Sequence, residues 1–259
     1  MFIKIVSWTR ECLRSLSANF IWAIACAGLL PVIIFMNLWN ASLVYRGYGI
    51  EISLADCFVF TSDILTVSLL FVPAMAFLLK QLFKQDFSSS FLLRQGNRRT
   101  LWIKQSYQIF LISILWTLWI SFWVYLIGVF FSRTAMNWGS EEGLFYTITG
   151  ALRPRISFME VFLVFLLVMF FRLDIMCMLL QRLDWMNRKV IGWAFLILVG
   201  CTDWYYPRFA VFYRRIALNH EHWLDPSSFL FDFSYAAVLL LLIGFWGFKA
   251  SSGKEFFHG

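Results

Sequence analysis

Charge is what this sequence has least of. Asp, Glu, Lys and Arg make up 14% of its 259 residues, against about 25% in an ordinary soluble domain. Intrinsic disorder is excluded, because a disordered chain needs high charge and low apolarity. Five prolines and 14 glycines are too few for a collagen-like chain. Five cysteines (Cys12, Cys26, Cys57, Cys177 and Cys201) include no Cys-x-x-Cys pair, which removes zinc ribbons and small disulfide scaffolds. Most of them sit in or beside apolar segments, as buried free thiols do; a Cys57–Cys201 disulfide is the alternative. Internal repeats, low-complexity tracts and soluble-domain linkers are also missing.

Apolar side chains fill the space that charge leaves. Hydrophobic residues are 61% of the chain, aromatics 20%, and Phe alone occurs 30 times; mean hydropathy is +0.72. A water-soluble fold of this length has too little interior to hide so much apolar surface. The chain reads as an all-α, polytopic integral membrane protein, a single transmembrane domain over residues 1–259. The net charge of +7 then reports where Lys and Arg are retained at a membrane and does not point to nucleic acid.

A transmembrane helix needs about 20 mainly apolar residues to cross about 30 Å of hydrocarbon. Six runs qualify, near 19–39, 58–79, 105–131, 157–180, 190–206 and 233–248. The third is long enough to tilt, and the fifth fades in apolarity at Asp203. The first follows Lys4, Arg10 and Arg14 as a signal peptide would, but its apolar run is too long for a signal core and no small-residue cleavage site follows. It reads as a retained span. Residues 1–18 mix apolar, basic and hydroxyl side chains, which suits a short interfacial helix on the inner leaflet.

With the N-terminus inside, six spans return the C-terminus inside. The inner segments then hold 14 Lys and Arg against four acids, and the outer segments hold seven against about ten. Positive charge is retained on the cytoplasmic side, so both termini are expected inside.

Enzyme signatures are sparse. His220-Glu221-His222 lacks the one-turn spacing of His-Glu-x-x-His and reads as solvated loop, with no metal bound. Glu141-Glu142 resembles the paired glutamates of prenyl-processing intramembrane proteases, but Tyr146 stands where those families need an Arg. No P-loop, nucleophile elbow or dinucleotide fingerprint occurs, so no catalytic residue is assigned and no cofactor is expected on this chain. Ionisable groups within spans are the usual functional candidates, because each is expensive there. Asp63 lies in the outer third of the second span, and Arg172 and Asp174 lie in the inner half of the fourth. Two positions apart on a helix is about 200°, so Arg172 and Asp174 do not pair directly. Arg172 is expected either to snorkel or pack, or to face a substrate or partner.

Two loops carry more. The inner loop, with the core Phe91-Leu-Leu-Arg-Gln-Gly-Asn-Arg-Arg-Thr-Leu-Trp-Ile-Lys104, is basic, broken at Gly96-Asn97 and apolar on both flanks. It can lie along the membrane and present Arg94, Arg98 and Arg99 to a cytoplasmic partner. The outer loop, 202–232, is rich in aromatics and carries Pro207 and Pro226. It is expected to form short helices seated in the outer leaflet, with Arg208, Arg214 and Arg215 at the headgroups.

This layout resembles the permease subunits of type-2 ATP-binding-cassette transporters. The likeness covers the whole chain in arrangement, and in residues it rests on Arg94-Gln95-Gly96-Asn97-Arg98-Arg99, similar to that family's coupling-helix loop. The resemblance implies a cytoplasmic ATPase partner that carries ATP and Mg²⁺, a second permease copy or relative, surrounding membrane lipids, and no nucleotide site here. The length is similar to that of small permeases for peptide export or immunity in bacterial plasma membranes, implying a peptide or amphipathic, lipid-like substrate. Two other readings of the residues stay open: a membrane-embedded protease or lipid transferase, and a non-transporting scaffold or sensor.

Overall fold

The computed structural model describes residues 2–84, 98–225 and 227–251. All regular structure among them is helical, apart from one isolated bridge between Glu51 and Gly143. The helices are α1 (Phe2–Ala18), α2 (Phe20–Gly47), α3 (Leu54–Thr61), α4 (Ile64–Phe83), α5 (Arg98–Phe131), α6 (Leu144–Thr149), α7 (Phe158–Trp185), α8 (Lys189–Tyr205) and α9 (Ser228–Ser251).

Five of these, α2, α4, α5, α7 and α9, are long and apolar enough to cross a membrane. The expected fifth span is α8, which has 17 residues. At a rise of about 1.5 Å per residue it extends about 26 Å, short of the roughly 30 Å of hydrocarbon. It still runs back along the bundle. Gly192 lies against Leu180 and Leu183 of α7, and a methyl group at Gly200 would stand 2.5 Å from Ser68 Oγ of α4. α5 is the longest helix, with 34 residues, or about 51 Å.

The expected second span, 58–79, is not one helix. It is broken at Ser62 and Asp63, with α3 before and α4 after. α4 then contains a π-helical turn over Val67–Phe71. Pro73 stands two residues beyond it; it has no N–H to donate and its ring would collide with the carbonyl four residues back, that of Leu69 within the turn, so a wider turn absorbs the misfit.

The helices have two chemically distinct ends. At the basic end, Lys104 Nζ meets Glu11 of α1 at 2.7 Å, and Gln105 Oε1 accepts from Gln181 Nε2 (3.0 Å) and Trp185 Nε1 (2.8 Å). Arg99 lies over the Phe248 ring and Arg182 over the Trp246 ring. α1 is joined to α2 through Asn19 alone and packs on α2, α4 and α5. The opposite end is built from the α2–α3 connection, the 132–157 segment and the 206–227 segment. Leu54 N and Ala55 N donate to Thr134 O and Ala135 O there, and Asn137 Nδ2 donates to Glu51 O. The five cysteines are free thiols, and all but Cys201 are buried. Burial lifts the Cys12 thiol of α1 to about 11, with Lys104 opposing the shift.

Exposed apolar faces run along α2 and α9, where Ile21, Leu241 and Phe245 lie open. Toward the interior, α9 is keyed to α5 by one glycine. A Cβ on Gly247 would sit 2.0 Å from the Trp102 ring, whose Nε1 donates to Gly244 O at 3.2 Å. Gly247→Ala is therefore expected to force α9 off Trp102 and destabilise the chain by about 1–3 kcal/mol. Gly28→Ala, where the new methyl meets open space, should be neutral or stabilising because alanine favours helix. Thermal unfolding of the two variants in detergent, compared with the parent, checks this; equal midpoints would dissolve the proposed lock.

Candidate functional site

The break in the second apolar run sets up the site. Asp63 adopts φ −52° and ψ 141°, out of helix, and caps α4: its Oδ2 accepts from Leu65 N (3.1 Å) and Thr66 N (3.2 Å). Ser62 ends α3 and its Oγ donates to Val59 O (2.8 Å) and Leu218 O (3.1 Å). A helix interrupted inside apolar surroundings strands backbone groups that neither lipid nor water satisfies. Asp63 answers for the free N–H groups, and a second residue answers for the free carbonyl.

That residue is Arg172 of α7, which is 0% exposed. Its Nη1 donates to Ser62 O and its Nη2 to Tyr213 O, with the guanidinium carbon 5.8 Å from the Tyr213 ring centroid. Helical side chains lean toward their own N-terminus, which aims Arg172 from mid-α7 at the break. Arg172 therefore does not snorkel to the bilayer surface; a planar fork with backbone acceptors in reach is buried whole. The pairing also suits the helix dipoles, with a cation at the C-terminal end of α3 and a carboxylate at the N-terminal end of α4.

The 206–227 segment is held from the other side. Asp203, fully buried at the end of α8, accepts from Val211 N (2.8 Å), Phe212 N (2.9 Å) and Arg214 N (3.2 Å). This carboxylate gathers the loop and places Tyr213 O against Arg172. Regular structure in the segment is limited to two 3₁₀ turns, Pro207–Phe209 and His220–Leu224. Phe212 and Tyr213 are buried, whereas Phe209 is exposed. Burial keeps the Tyr213 phenol well above its ordinary range, with Arg172 opposing.

His220 is not in a solvated loop. It is 5% exposed, and its Nε2 lies 2.8 Å from Asp56 Oδ1. Asp56, fully buried, also accepts from Trp138 Nε1 (2.8 Å), Ser53 N (2.8 Å) and Ser53 Oγ (2.7 Å). Rings of Phe60, Trp138 and Phe145 surround the imidazole. The reason is burial by aromatic neighbours far away in sequence, which a solvated reading of three polar residues leaves out. His222 Nδ1 turns to Ala217 O at 2.9 Å. The described residues hold no cluster of three His, Cys, Asp or Glu placed to bind a metal.

Between α2, the α3–α4 break and this loop lies an open cleft of about 920 Å³. Its lining mixes apolar side chains (Val32, Ile33, Met36 and Trp39 of α2, Leu70 of α4) with polar ones (Asn37 and Asn40 of α2, Asp63, Thr66, Arg214, Asn219 and Glu221). Asn37 Nδ2 donates to Thr66 Oγ1 (2.9 Å) across the floor, and only one Asp63 oxygen is used by the cap. The cleft is suited to holding an amphipathic molecule.

Of the residues expected from sequence, Asp63 and Arg172 meet at the break. Asp174 is turned elsewhere, accepting from Ser113 Oγ of α5 at 3.1 Å. Arg98 and Arg99 open α5, while Arg94, Gln95, Gly96 and Asn97 lie outside the described residues. Asp203, Asp56 and Trp138 were not foreseen; the short capping pattern Ser53-x-x-Asp56 was the one local signal available.

Replacing Arg172 with Ala leaves two buried carbonyls without donors, at about 1–3 kcal/mol each. Arg172→Ala should lower the unfolding temperature and make 206–227 sensitive to protease. Arg172→Lys should recover only part of this, because an ammonium cannot present a planar fork. Parental stability and protease resistance in Arg172→Ala would show that the two hydrogen bonds are dispensable. No protein-family model, curated protein or solved structure matches the chain.

Proposed function

We propose that the chain is the membrane subunit of a transporter driven by a separate cytoplasmic ATPase. The observation that carries this reading is the cleft, built against an interrupted helix and lined by a carboxylate, amides and a guanidinium together with apolar side chains. A chain serving only as an anchor has no need of a polar chamber within its apolar length. Broken helices that line polar cavities are how membrane carriers place binding groups at depth.

In this reading α8 is a short sixth span, both termini are inside, α1 rests at the inner surface and the 206–227 segment faces outward. The excess of Lys and Arg at the basic end supports that orientation. The substrate is a peptide or other amphipathic molecule, moved outward across a bacterial plasma membrane, and a second permease completes the path. This chain itself is no enzyme; ATP and Mg²⁺ belong to the partner.

The connection between α4 and α5 gives a route for coupling. Force from the ATPase enters at Arg94–Arg99, the part of the sequence that leads into the first turn of α5. Asp63 at the break and Leu70 of the π-turn both line the cleft, so tilting the lower part of α4 changes the width of the cleft. A rigid-body change of this kind is the general repertoire of alternating access.

Arg98→Glu with Arg99→Glu is expected to release a tagged ATPase from the purified complex or to abolish substrate-stimulated hydrolysis in proteoliposomes. Arg98→Ala with Arg99→Ala should do so more mildly while leaving membrane insertion intact. Wild-type association and coupling in both variants would defeat the assignment of this loop as a docking element.

A further inference from the structure

A second cavity lies at the basic end, far from the cleft. Its wide part, about 430 Å³, is bounded by Lys80, Lys84 and Gln81 of α4, by Gln181 and Asp184 of α7, and by Lys189 at the start of α8. A narrow slot of about 70 Å³ continues from it and shares Lys80, Gln181, Asp184 and Lys189. The slot is walled by Ala76 and Leu79 of α4, Leu180 of α7 and Trp193 of α8. The cavity is thus polar and cationic at the helix ends and apolar toward the middle of the bundle.

Lys80 and Lys84 are one helical turn apart and so share a face of α4. Neither has a carboxylate partner among the described residues, while Lys189 Nζ meets Asp184 Oδ1 at 3.2 Å. Among the described residues the lining therefore holds three ammonium groups and one carboxylate. The first turn of α8 adds to the positive field, since its N-cap, Arg188, supplies no side-chain cap and a helix N-terminus attracts anions. Gln181 is 8% exposed, and its amide nitrogen donates to Gln105 Oε1 at 3.0 Å.

We propose that this two-part cavity binds one anionic phospholipid, with its phosphate among Lys80, Lys84 and Lys189 and the first part of an acyl chain in the slot. The lysines lie where the apolar run of α4 stops and that of α8 begins, which is the depth of lipid headgroups. Basic pockets between transmembrane helices suit such headgroups. A soluble phosphate or an acidic peptide would use the lysines but has no use for an apolar slot leading inward. A bound lipid would tie α4, α7 and α8 together at their ends. The inference stands whether or not the chain moves a substrate.

The test is native mass spectrometry of the full-length chain, purified and delipidated in detergent, titrated with dioleoylphosphatidylglycerol or dioleoylphosphatidylcholine. One phosphatidylglycerol should remain bound at collision energies that strip phosphatidylcholine. The combined Lys80→Gln, Lys84→Gln and Lys189→Gln variant should bind it roughly a hundredfold more weakly, about fivefold for each lysine near an anionic lipid. All three lysines are exposed, so the variant should keep the parental unfolding temperature, which is measured alongside. Glycerol 3-phosphate at the lipid's concentration should not displace the lipid. Unchanged affinity in the variant, or equal retention of phosphatidylcholine, would overturn the proposal. Displacement by glycerol 3-phosphate would also overturn it, in favour of a site for soluble phosphate.

Discussion

One guanidinium holds two separate parts of this molecule together. Arg172 leaves mid-α7 and divides its donors between the carbonyl of Ser62, where a helix stops, and that of Tyr213, in a loop more than 40 residues further along the chain. A charged group without water is expensive unless its donors find acceptors, so the two carbonyls and the arginine are mutually necessary. Asp63 and Asp203 complete the arrangement by capping α4 and gathering the loop. Remove the arginine and the break in α3–α4 has no reason to stay open.

The cleft follows from that break. A continuous second span would bring its apolar side chains flush against α2; the interruption instead turns Asp63 and Thr66 toward Asn37. A second knot, Asp56 with Trp138 and His220, pins the 132–157 and 220–224 segments over the same corner. The two knots mirror each other: a buried guanidinium reaches distant acceptors in the first, and a buried carboxylate gathers distant polar partners in the second. Such buried polar networks specify one arrangement of loops that apolar packing alone leaves loose.

The long apolar helices were legible in the sequence because lipid demands about 20 apolar residues in succession, a local pattern. The interruption at Ser62-Asp63 was legible in kind, as an ionisable group inside a span, but its role was not. Asp63 caps a new helix, whereas a reading by apolar window runs straight through it. Arg172 was marked for the same reason, yet its acceptors are main-chain carbonyls, and every residue has one, so no sequence pattern betrays them. Asp56 and His220 stand 164 positions apart, and their meeting depends wholly on the fold. The run 190–206 and α8 agree in place and length, 17 residues, and a few residues decide whether a helix spans the hydrocarbon.

The length of α5 has a mechanical consequence. A helix of 34 residues that starts at Arg98 and ends at Phe131 carries its two ends well apart, and Trp102 on α9 and Ser113 on Asp174 fasten it at intervals. Stiff along its axis, it acts as a lever: for a rod of about 51 Å, a tilt of about five degrees moves the far tip by roughly 4 Å. A push too small to unseat any side chain at the basic tip would thus reach the Glu51–Asn137 corner as a displacement wider than an atom.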